Sequence, residues 1–271
     1  MRTLAHLSDL HFGRLDPAVL NPLRTAVESA SPDLIAISGD FTQRARRREF
    51  AAARAFLDTL QAPKLLVPGN HDVPMWNVAA RFLTPLTRYK SYISPELEPE
   101  YADEEMIVLG VNTARSLARG EGRINMRQVD RIVQRLADAP PSLIRIIVTH
   151  HPFDLPPGVP ERRLLGRARR AMARLAAADA DLFLSGHLHL SHASASAERY
   201  RIEGHSALIV QAGTVSMRGR GEQPSFNLVR VQRPDIELLT FVWDPATAAF
   251  RPSNAVRYRH TDNGWVLASA T

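Results

Sequence analysis

The stretch Leu4-Ala5-His6-Leu7-Ser8-Asp9-Leu10-His11 is a short apolar run that stops abruptly on polar residues. Leu34 to Ser38 repeats the form and ends in Gly39-Asp40. Between the two runs, Val19, Leu20, Leu23, Ala26 and Val27 fall on one face of a helix over Pro17 to Ala30, so the opening predicts a β-α-β unit with buried strands. Arg46 to Leu60 repeats the helical spacing with Phe50, Ala53, Phe56, Leu57 and Leu60.

Working outward, strands are expected at Lys64 to Val67 before Pro68-Gly69-Asn70-His71-Asp72, and at Met106 to Val111 before Asn112-Thr113. Two more are expected at Leu143 to Val148 before Thr149-His150-His151, and at Leu182 to Leu184 before Ser185-Gly186-His187-Leu188-His189. Helices are expected near Met126 to Ala137 and over the basic stretch Glu161 to Ala178. From Tyr200 to Tyr258 the pattern alternates like strands, as at Leu208 to Ala212, Phe226 to Val231 and Ile236 to Trp243. With no internal repeat and no low-complexity linker, residues 1–271 read as a single α/β domain whose β-rich C-terminal third, about 200–260, completes the second sheet.

The composition narrows the class. An apolar fraction of 45% and a charged fraction of 23% are those of a folded globular chain. The absence of cysteine excludes disulfide scaffolds, zinc-thiolate sites, iron–sulfur clusters and a cysteine nucleophile. The N-terminal residues never reach a signal peptide's apolar core and no run of 18 apolar residues occurs, so a cytoplasmic protein is expected. The net charge is +6, and with Lys64 and Lys90 the only lysines, arginine dominates the positive charge. That balance points to an anionic partner: a nucleotide, a nucleic acid or a lipid headgroup.

Donor-type side chains recur at successive strand ends: Asp9 and His11, Asp40, Asn70 and His71, His150, then His187 and His189. In open α/β sheets the carboxyl ends of strands are where ligands bind. Oxygen and nitrogen donors without sulfur suit manganese, iron, cobalt or zinc, and this many donors exceed the needs of one ion, so two divalent ions are expected. Asp40, following the flexible Gly39, is placed to bridge cations about 3.5–4 Å apart. His6 reads as a core histidine, His151 as pointing to the opposite face from His150, and His192 and His205 as surface residues.

In order, Asp9-Leu10-His11, Gly39-Asp40, Gly69-Asn70-His71-Asp72, His150 and Gly186-His187-Leu188-His189 resemble the calcineurin-like metallophosphoesterase superfamily over residues 9–189, leaving the C-terminal third uncovered. The resemblance implies a four-layer α-β-β-α sandwich of two mixed sheets flanked by helices, with a dimetal centre at the strand ends. It implies that Asp9, His11, Asp40 and His189 hold one ion, and that Asp40, Asn70, His150 and His187 hold the other, the pair being Mn2+, Fe2+/Fe3+ or Zn2+. A metal-bridging hydroxide would attack phosphorus. The same resemblance gives His71 the role of contacting the scissile phosphate or protonating the leaving oxygen, with Asp72 orienting it.

The runs Ser8-Asp9-Leu10-His11-Phe12-Gly13, Gly39-Asp40-Phe41-Thr42-Gln43 and Gly213-Thr214-Val215-Ser216-Met217-Arg218, with Ser225-Phe226-Asn227, resemble the bacterial class III cyclic-nucleotide phosphodiesterase branch. That implies a small phosphodiester substrate such as a 3′,5′-cyclic nucleotide, with Asn112, Thr113, Arg218 and Arg220 as candidate phosphate or base contacts. Two alternatives use the arginines differently. Arg162, Arg163, Arg167, Arg169, Arg170 and Arg174, interleaved with Leu164, Leu165, Met172 and Leu175, read as a basic amphipathic helix on an anionic membrane surface, acting on a lipid-linked phosphodiester or pyrophosphate. The other is a DNA-processing nuclease, whose binding would weaken steeply with salt.

Overall fold

Arg2–Leu7 (β1), Leu34–Ile37 (β2) and Lys64–Leu66 (β3) lie parallel in one sheet, joined by helices α1 (Leu20–Ser29) and α2 (Arg47–Leu57). The computed structural model describes residues 1–268 except 76, 117–119, 201, 203–204 and 217–220. Entry to α1 is set by a 3-10 turn at Pro17–Val19, where Asp16 accepts a hydrogen bond from the Ala18 amide and proline fixes φ at the first position.

Side-chain alternation along these strands decides the layering. Ala5, Leu7, Ile35 and Ile37 face outward and pack with Leu23 and Val27 of α1 and with Phe50, Ala53 and Phe56 of α2. Leu4, Leu34, Ala36 and Leu65 face inward against a second sheet. Because the period is two, a one-residue slip would reverse every one of these contacts.

After β3 come two short helices, α3 (Val78–Leu83) and α4 (Thr87–Tyr92), and then the second sheet. Its strands are β4 (Glu100–Ala102), β5 (Met106–Val111), β6 (Ile144–Thr149), β7 (Leu182–Ser185), β8 (His192–Ala195) and β9 (Leu208–Gln211), in the order β4-β5-β6-β7-β9-β8. Strands β5, β6, β7 and β9 run parallel, with antiparallel β4 and β8 at the edges. Helices α5 (Met126–Ala137) and α6 (Ala168–Ala176) cover the outer face, and the short α7 (Ala197–Tyr200) follows β8. Met106, Val108, Ile146, Val148 and Leu184 meet Leu4 and Leu34 between the sheets, whereas Ile107, Ile147 and Phe183 pack under Ile132, Leu136, Met172 and Leu175. The result is the expected helix-sheet-sheet-helix order.

The C-terminal strands depart from expectation. The antiparallel run β10 (Ser225–Gln232), β11 (Asp235–Asp244), β12 (Ala249–Thr261) and β13 (Gly264–Leu267) joins the first sheet, giving β13-β12-β11-β10-β1-β2-β3. Of the C-terminal segments, only β9 goes to the second. Strand β2 occupies one edge of β1, and β10 takes the other with Leu4 opposite Val229. Alternation in a sequence reports which faces are buried but not which edge receives the strand. β12 carries Pro252, which sits opposite Phe241 where the register shifts between Thr240 and Phe241, a position at which a missing amide is tolerated.

The basic stretch also differs from its expectation. It breaks at Arg167, which adopts a left-handed conformation (φ +70°), and only Ala168–Ala176 is α-helical. The apolar face is already used: Ala171, Met172 and Leu175 are fully buried against the second sheet and α5. A helix lying on a membrane must offer that face to lipid, so the membrane-surface reading is corrected. No helix among the described residues is long and apolar enough to cross a membrane.

One carboxylate ties the two sheets at the start of β7. Asp181 accepts from the Arg145 amide at 2.9 Å, from Arg233 Nη2 at 2.8 and 2.7 Å, and from Trp265 Nε1 of β13 at 2.8 Å. Asp181→Ala strands a buried indole N–H and a part-buried guanidinium, and a loss of about 3 kcal/mol is expected in urea unfolding. The metal content should not change, because the donors follow the other end of β7.

Candidate metal centre

Five parallel strands deliver polar residues just beyond their last paired positions: Asp9 and His11 after β1, Asp40 after β2, Asn70 to Asp72 in a 3-10 turn after β3, His150 after β6, and His187 and His189 after β7. The loops after β1 and β2 are locked together, the Asp9 amide donating to the Gly39 carbonyl at 3.1 Å and the His11 amide to that of Asp40 at 2.9 Å. Asp9, His11, Asp40, His187 and His189 all have positive φ, between +45° and +73°. Single left-handed residues of this kind cost of order 1 kcal/mol and persist where surrounding structure fixes them, so their clustering here marks a functional site.

Close packing of the loops requires glycine at Gly39 and Gly186 among other positions. At Gly39 (φ +91°) a Cβ would stand 2.7 Å from His150 Nδ1, and at Gly186 it would stand 1.8 Å from Ser8 Oγ. The second contact brings the β7 loop against the end of β1, where Asp9 Oδ2 accepts from Ser8 Oγ at 2.6 Å and from the His187 amide at 2.8 Å.

The donors form two groups that meet at one carboxylate. In the first, His189 Nε2 lies 3.0 Å and His11 Nε2 3.4 Å from Asp9 Oδ1, and the two imidazole nitrogens are 3.1 Å apart. In the second, Asn70 Oδ1 lies 3.1 Å from His150 Nε2 and 3.0 Å from His187 Nδ1. Asp40 Oδ2 stands between them, 3.7 Å from His11 Nε2 and 3.4 Å from His150 Nε2. The sets Asp9, His11 and His189, and Asp9, Asp40 and His150, are each close enough to hold a metal ion.

The chemistry of these atoms fits cations. His150 Nδ1 donates to the Ser38 carbonyl at 2.7 Å, which aims the Nε2 lone pair at the oxygens of Asp40 and Asn70. Asp9 Oδ1 and His187 Nε2 are buried without a hydrogen-bond donor or acceptor in bonding geometry. Lone pairs facing lone pairs repel unless a positive charge stands among them. Titration carries the same demand. Burial would lower His150, but the Asp40 carboxylate more than offsets this and pushes its imidazole up to about 9. His187, buried and repelled by His150, falls to about 3. Burial opposes ionisation of Asp40, yet the histidines around it hold it well below the usual carboxylate range.

Of His71 and Asp72, it is Asp72 that departs from its expected place. His71 is half-buried beside the donors, its ring centroid 4.9 Å from that of His11 and its amide donating to Asp40 Oδ1 at 2.8 Å. Its Nδ1 lies 2.8 Å from the Gln43 carbonyl oxygen, which fixes the proton there. The expected orienting group, Asp72, instead accepts from the Gly69 amide at 2.9 Å, the Thr42 amide at 2.9 Å and Thr42 Oγ1 at 3.0 Å. Asp72 therefore orders the backbone on which Asp40 and His71 stand, and Gln43 takes the orienting role. Burial and the nearby Asp40 charge push Asp72 up to about 7, against the pull of those donors.

His151, expected on the opposite face, is fully buried beside the donors, with its ring 4.6 Å from that of His187 and its Nδ1 2.8 Å from Thr113 Oγ1. Strand β6 ends at Thr149, so the alternation of a strand no longer applies at residues 150 and 151. His6 is a core histidine as expected, bonded to Ser38 Oγ at 2.9 Å. The run from Gly213 contributes through Thr214, whose hydroxyl donates to the Asp9 carbonyl at 2.8 Å. Asn112 caps the Ala114 amide. Arg218 and Arg220 lie outside the described residues.

Comparisons with known proteins agree with this geometry. A "Probable cyclic nucleotide phosphodiesterase" from Synechococcus sp. is 27% identical over 161 residues, 55% of this chain and 58% of that protein. The glycerophosphodiester phosphodiesterase GpdQ of Enterobacter lignolyticus is 38% identical over 85 residues, 26% of this chain and 29% of that one. The matched stretches thus span little more than half of the first relative and less than a third of the second. Among solved structures, a dimetal phosphatase from Danio rerio superposes with a TM-score of 0.65 at 12% identity, covering 88% of this chain and 95% of its own. The purple acid phosphatase PPD1 of yellow lupin does so with a TM-score of 0.70 at 9% identity, covering 94% of this chain and 53% of its own. At these identities the superpositions establish the fold. The calcineurin-like phosphoesterase profile matches residues 2–191, which include every donor described above, and the chain belongs to that family.

Proposed function

We propose that the chain is a dinuclear-metal phosphodiesterase acting on a small phosphodiester, with 3′,5′-cyclic nucleotides as the first candidates. The observation that carries this reading is the position of Asp40: one oxygen faces both donor groups and the other holds the amide of His71. Bound divalent ions, taken to be manganese, iron or zinc, supply Lewis acidity toward phosphoryl oxygens and acidification of coordinated water.

The residues around them divide the remaining work. Asp9, His11, Asp40 and His189 form one cradle and Asp40, Asn70, His150 and His187 the other, with Asp40 countering the charge of both. Ser8 and the His187 amide hold Asp9 in place, and Ser38 holds His150. His71, with its Nδ1 proton tied to Gln43, presents Nε2 toward the scissile ester and donates a proton to the departing oxygen. The names of the two sequence relatives, both phosphodiesterases, support a diester over a monoester.

The test is hydrolysis of bis(p-nitrophenyl) phosphate, p-nitrophenyl phosphate and 3′,5′-cyclic AMP by chelator-stripped protein, before and after manganese is restored. Turnover should be absent from the stripped protein and return with the metal, with the diester preferred by at least tenfold. A monoester preference, or activity indifferent to chelation, overturns the reading.

A further inference from the structure

His151 lies against the metal centre and belongs to neither donor group described above. It is fully buried, yet its Nε2 has no hydrogen-bond partner, and the same holds for Nε2 of His187. Its ring centroid stands 4.8 Å from that of His150 and 4.6 Å from that of His187. One nitrogen from each of His150, His151 and His187 lies within 4.8 Å of the other two, close enough for the three to hold a metal ion.

The ring is held in place from several directions. Strand β6 ends at Thr149, and His150 and His151 follow it directly. Thr113, two residues beyond β5, sets its hydroxyl 2.8 Å from His151 Nδ1. Gly122 packs on the other atoms of the ring so closely that a Cβ there would stand 2.1 Å from both Cγ and Nδ1. That stretch of backbone is itself tied down, the Arg123 amide donating to the Thr113 carbonyl at 3.0 Å and the Gly166 amide to the Gly122 carbonyl at 2.9 Å.

The arrangement repeats that of His150, whose Nδ1 donates to the Ser38 carbonyl while Nε2 faces Asp40 and Asn70. In His151 the Thr113 hydroxyl can accept the Nδ1 proton, which leaves the lone pair of the neutral ring on Nε2. Imidazoles that ligate metals characteristically donate their other ring proton to an oxygen in this way. A bare nitrogen buried beside other bare nitrogens is costly unless a cation stands among them.

We propose that His151 is a further ligand of the second ion, which then has three imidazoles, His150, His151 and His187, beside Asn70 and the shared Asp40. The proposal rests on the dinuclear reading above. It gives the two positions different metal preferences: Asp9 and Asp40 lean the first toward manganese, whereas three imidazoles lean the second toward zinc or iron. The added donor brings no charge, so Asp40 remains the anion that both ions share.

The test uses the whole chain, stripped with chelator and loaded with a spin-active cadmium isotope. Couplings from cadmium to isotope-labelled imidazole nitrogens identify the rings that ligate. His151, assigned through the backbone, should show a coupling at Nε2 together with His11, His150, His187 and His189. A His151 signal without coupling, while those four rings show theirs, overturns the further ligand and leaves the dinuclear centre standing. Couplings at none of the five rings overturn the dinuclear reading, and the ligand with it.

Zinc calorimetry on His151→Ala gives an independent check. One of the two binding steps should weaken by more than about a hundredfold, above the range of about 10–100-fold that loss of a merely supporting neighbour brings, while the other is kept. A loss inside that range, or none, makes His151 a support and overturns the ligand. Because the coupling spectrum is that of the unaltered protein, it decides even where the variant does not fold.

Discussion

Asp40→Ala is expected to empty both metal positions, lowering the metal-to-protein ratio from about two toward zero after gel filtration, and to reduce diester turnover by about a thousandfold, equivalent to about 4 kcal/mol of lost barrier reduction. The size follows from what one side chain does. Asp40 Oδ2 stands within 4 Å of donors from both groups, 3.7 Å from His11 Nε2 and 3.4 Å from His150 Nε2. Asp9 has its Oδ2 committed to Ser8 and the His187 amide, and its other oxygen lies closest to His189 and His11. Truncation also frees the His71 amide, which Asp40 Oδ1 accepts at 2.8 Å. Asp40→Asn separates the two consequences: the amide oxygen can still hold His71, but the negative charge toward the ions is lost. It should keep the loop and bind metal weakly. Two ions retained in Asp40→Ala, measured by elemental analysis, would remove Asp40 from the bridging position.

Much of this centre is legible in the sequence because it is local. Each donor follows a run of buried apolar residues by two to five positions, and the end of a strand is the one place where a short motif fixes both location and direction. Asp9, His11, Asp40, Asn70, His150, His187 and His189 therefore come together as read. What escaped the reading depends on contacts between distant segments. Which sheet receives β10 is decided by the free edge of β1, and Val229 opposite Leu4 is a pairing that no periodicity in residues 225–232 encodes. The partner of His71 is a backbone carbonyl, that of Gln43, and carbonyls leave no trace in a sequence. Asp72 stands next to His71 in the chain yet reaches across to Thr42 and Gly69, so adjacency misled. The apolar residues of α6 fit a membrane helix and a core helix equally; burial of Met172 and Leu175 against the second sheet decides for the core.

The strain at the site bears on how it holds ions. Five donors sit in left-handed backbone, four of them, Asp9, His11, Asp40 and His187, pinned by hydrogen bonds between loops of different strands, and the two sheets meet under them through a continuous apolar layer. Such a frame fixes the separation of the donor groups before any ion arrives, so little ordering remains to be done on binding. It also explains why Gly186 matters although it carries no donor: a methyl group there would collide with Ser8 Oγ and push His187 off Asp9.

His71→Ala should separate metal binding from turnover. The variant should retain about two ions per chain, since His71 contacts the donor groups through ring packing against His11 and through an amide that alanine also provides. Turnover of a diester with an alkoxide leaving group should fall by about 10²–10⁴, the range associated with a positioned general acid. With a p-nitrophenolate leaving group, which departs readily without a proton, the loss should be under about tenfold. This comparison discriminates between the two roles open to the residue. A proton donor matters in proportion to the basicity of the departing oxygen, whereas a group that only positions the scissile phosphate matters equally for both esters. The Gln43 carbonyl sharpens the distinction: by holding the Nδ1 proton it directs Nε2 at the ester, and a proton leaving from Nε2 is replaced from solvent because His71 is half-exposed while the other histidines of the centre are buried. Equal losses on the two esters, with metal retained, would assign His71 to phosphate positioning and leave the departing oxygen to be protonated by water.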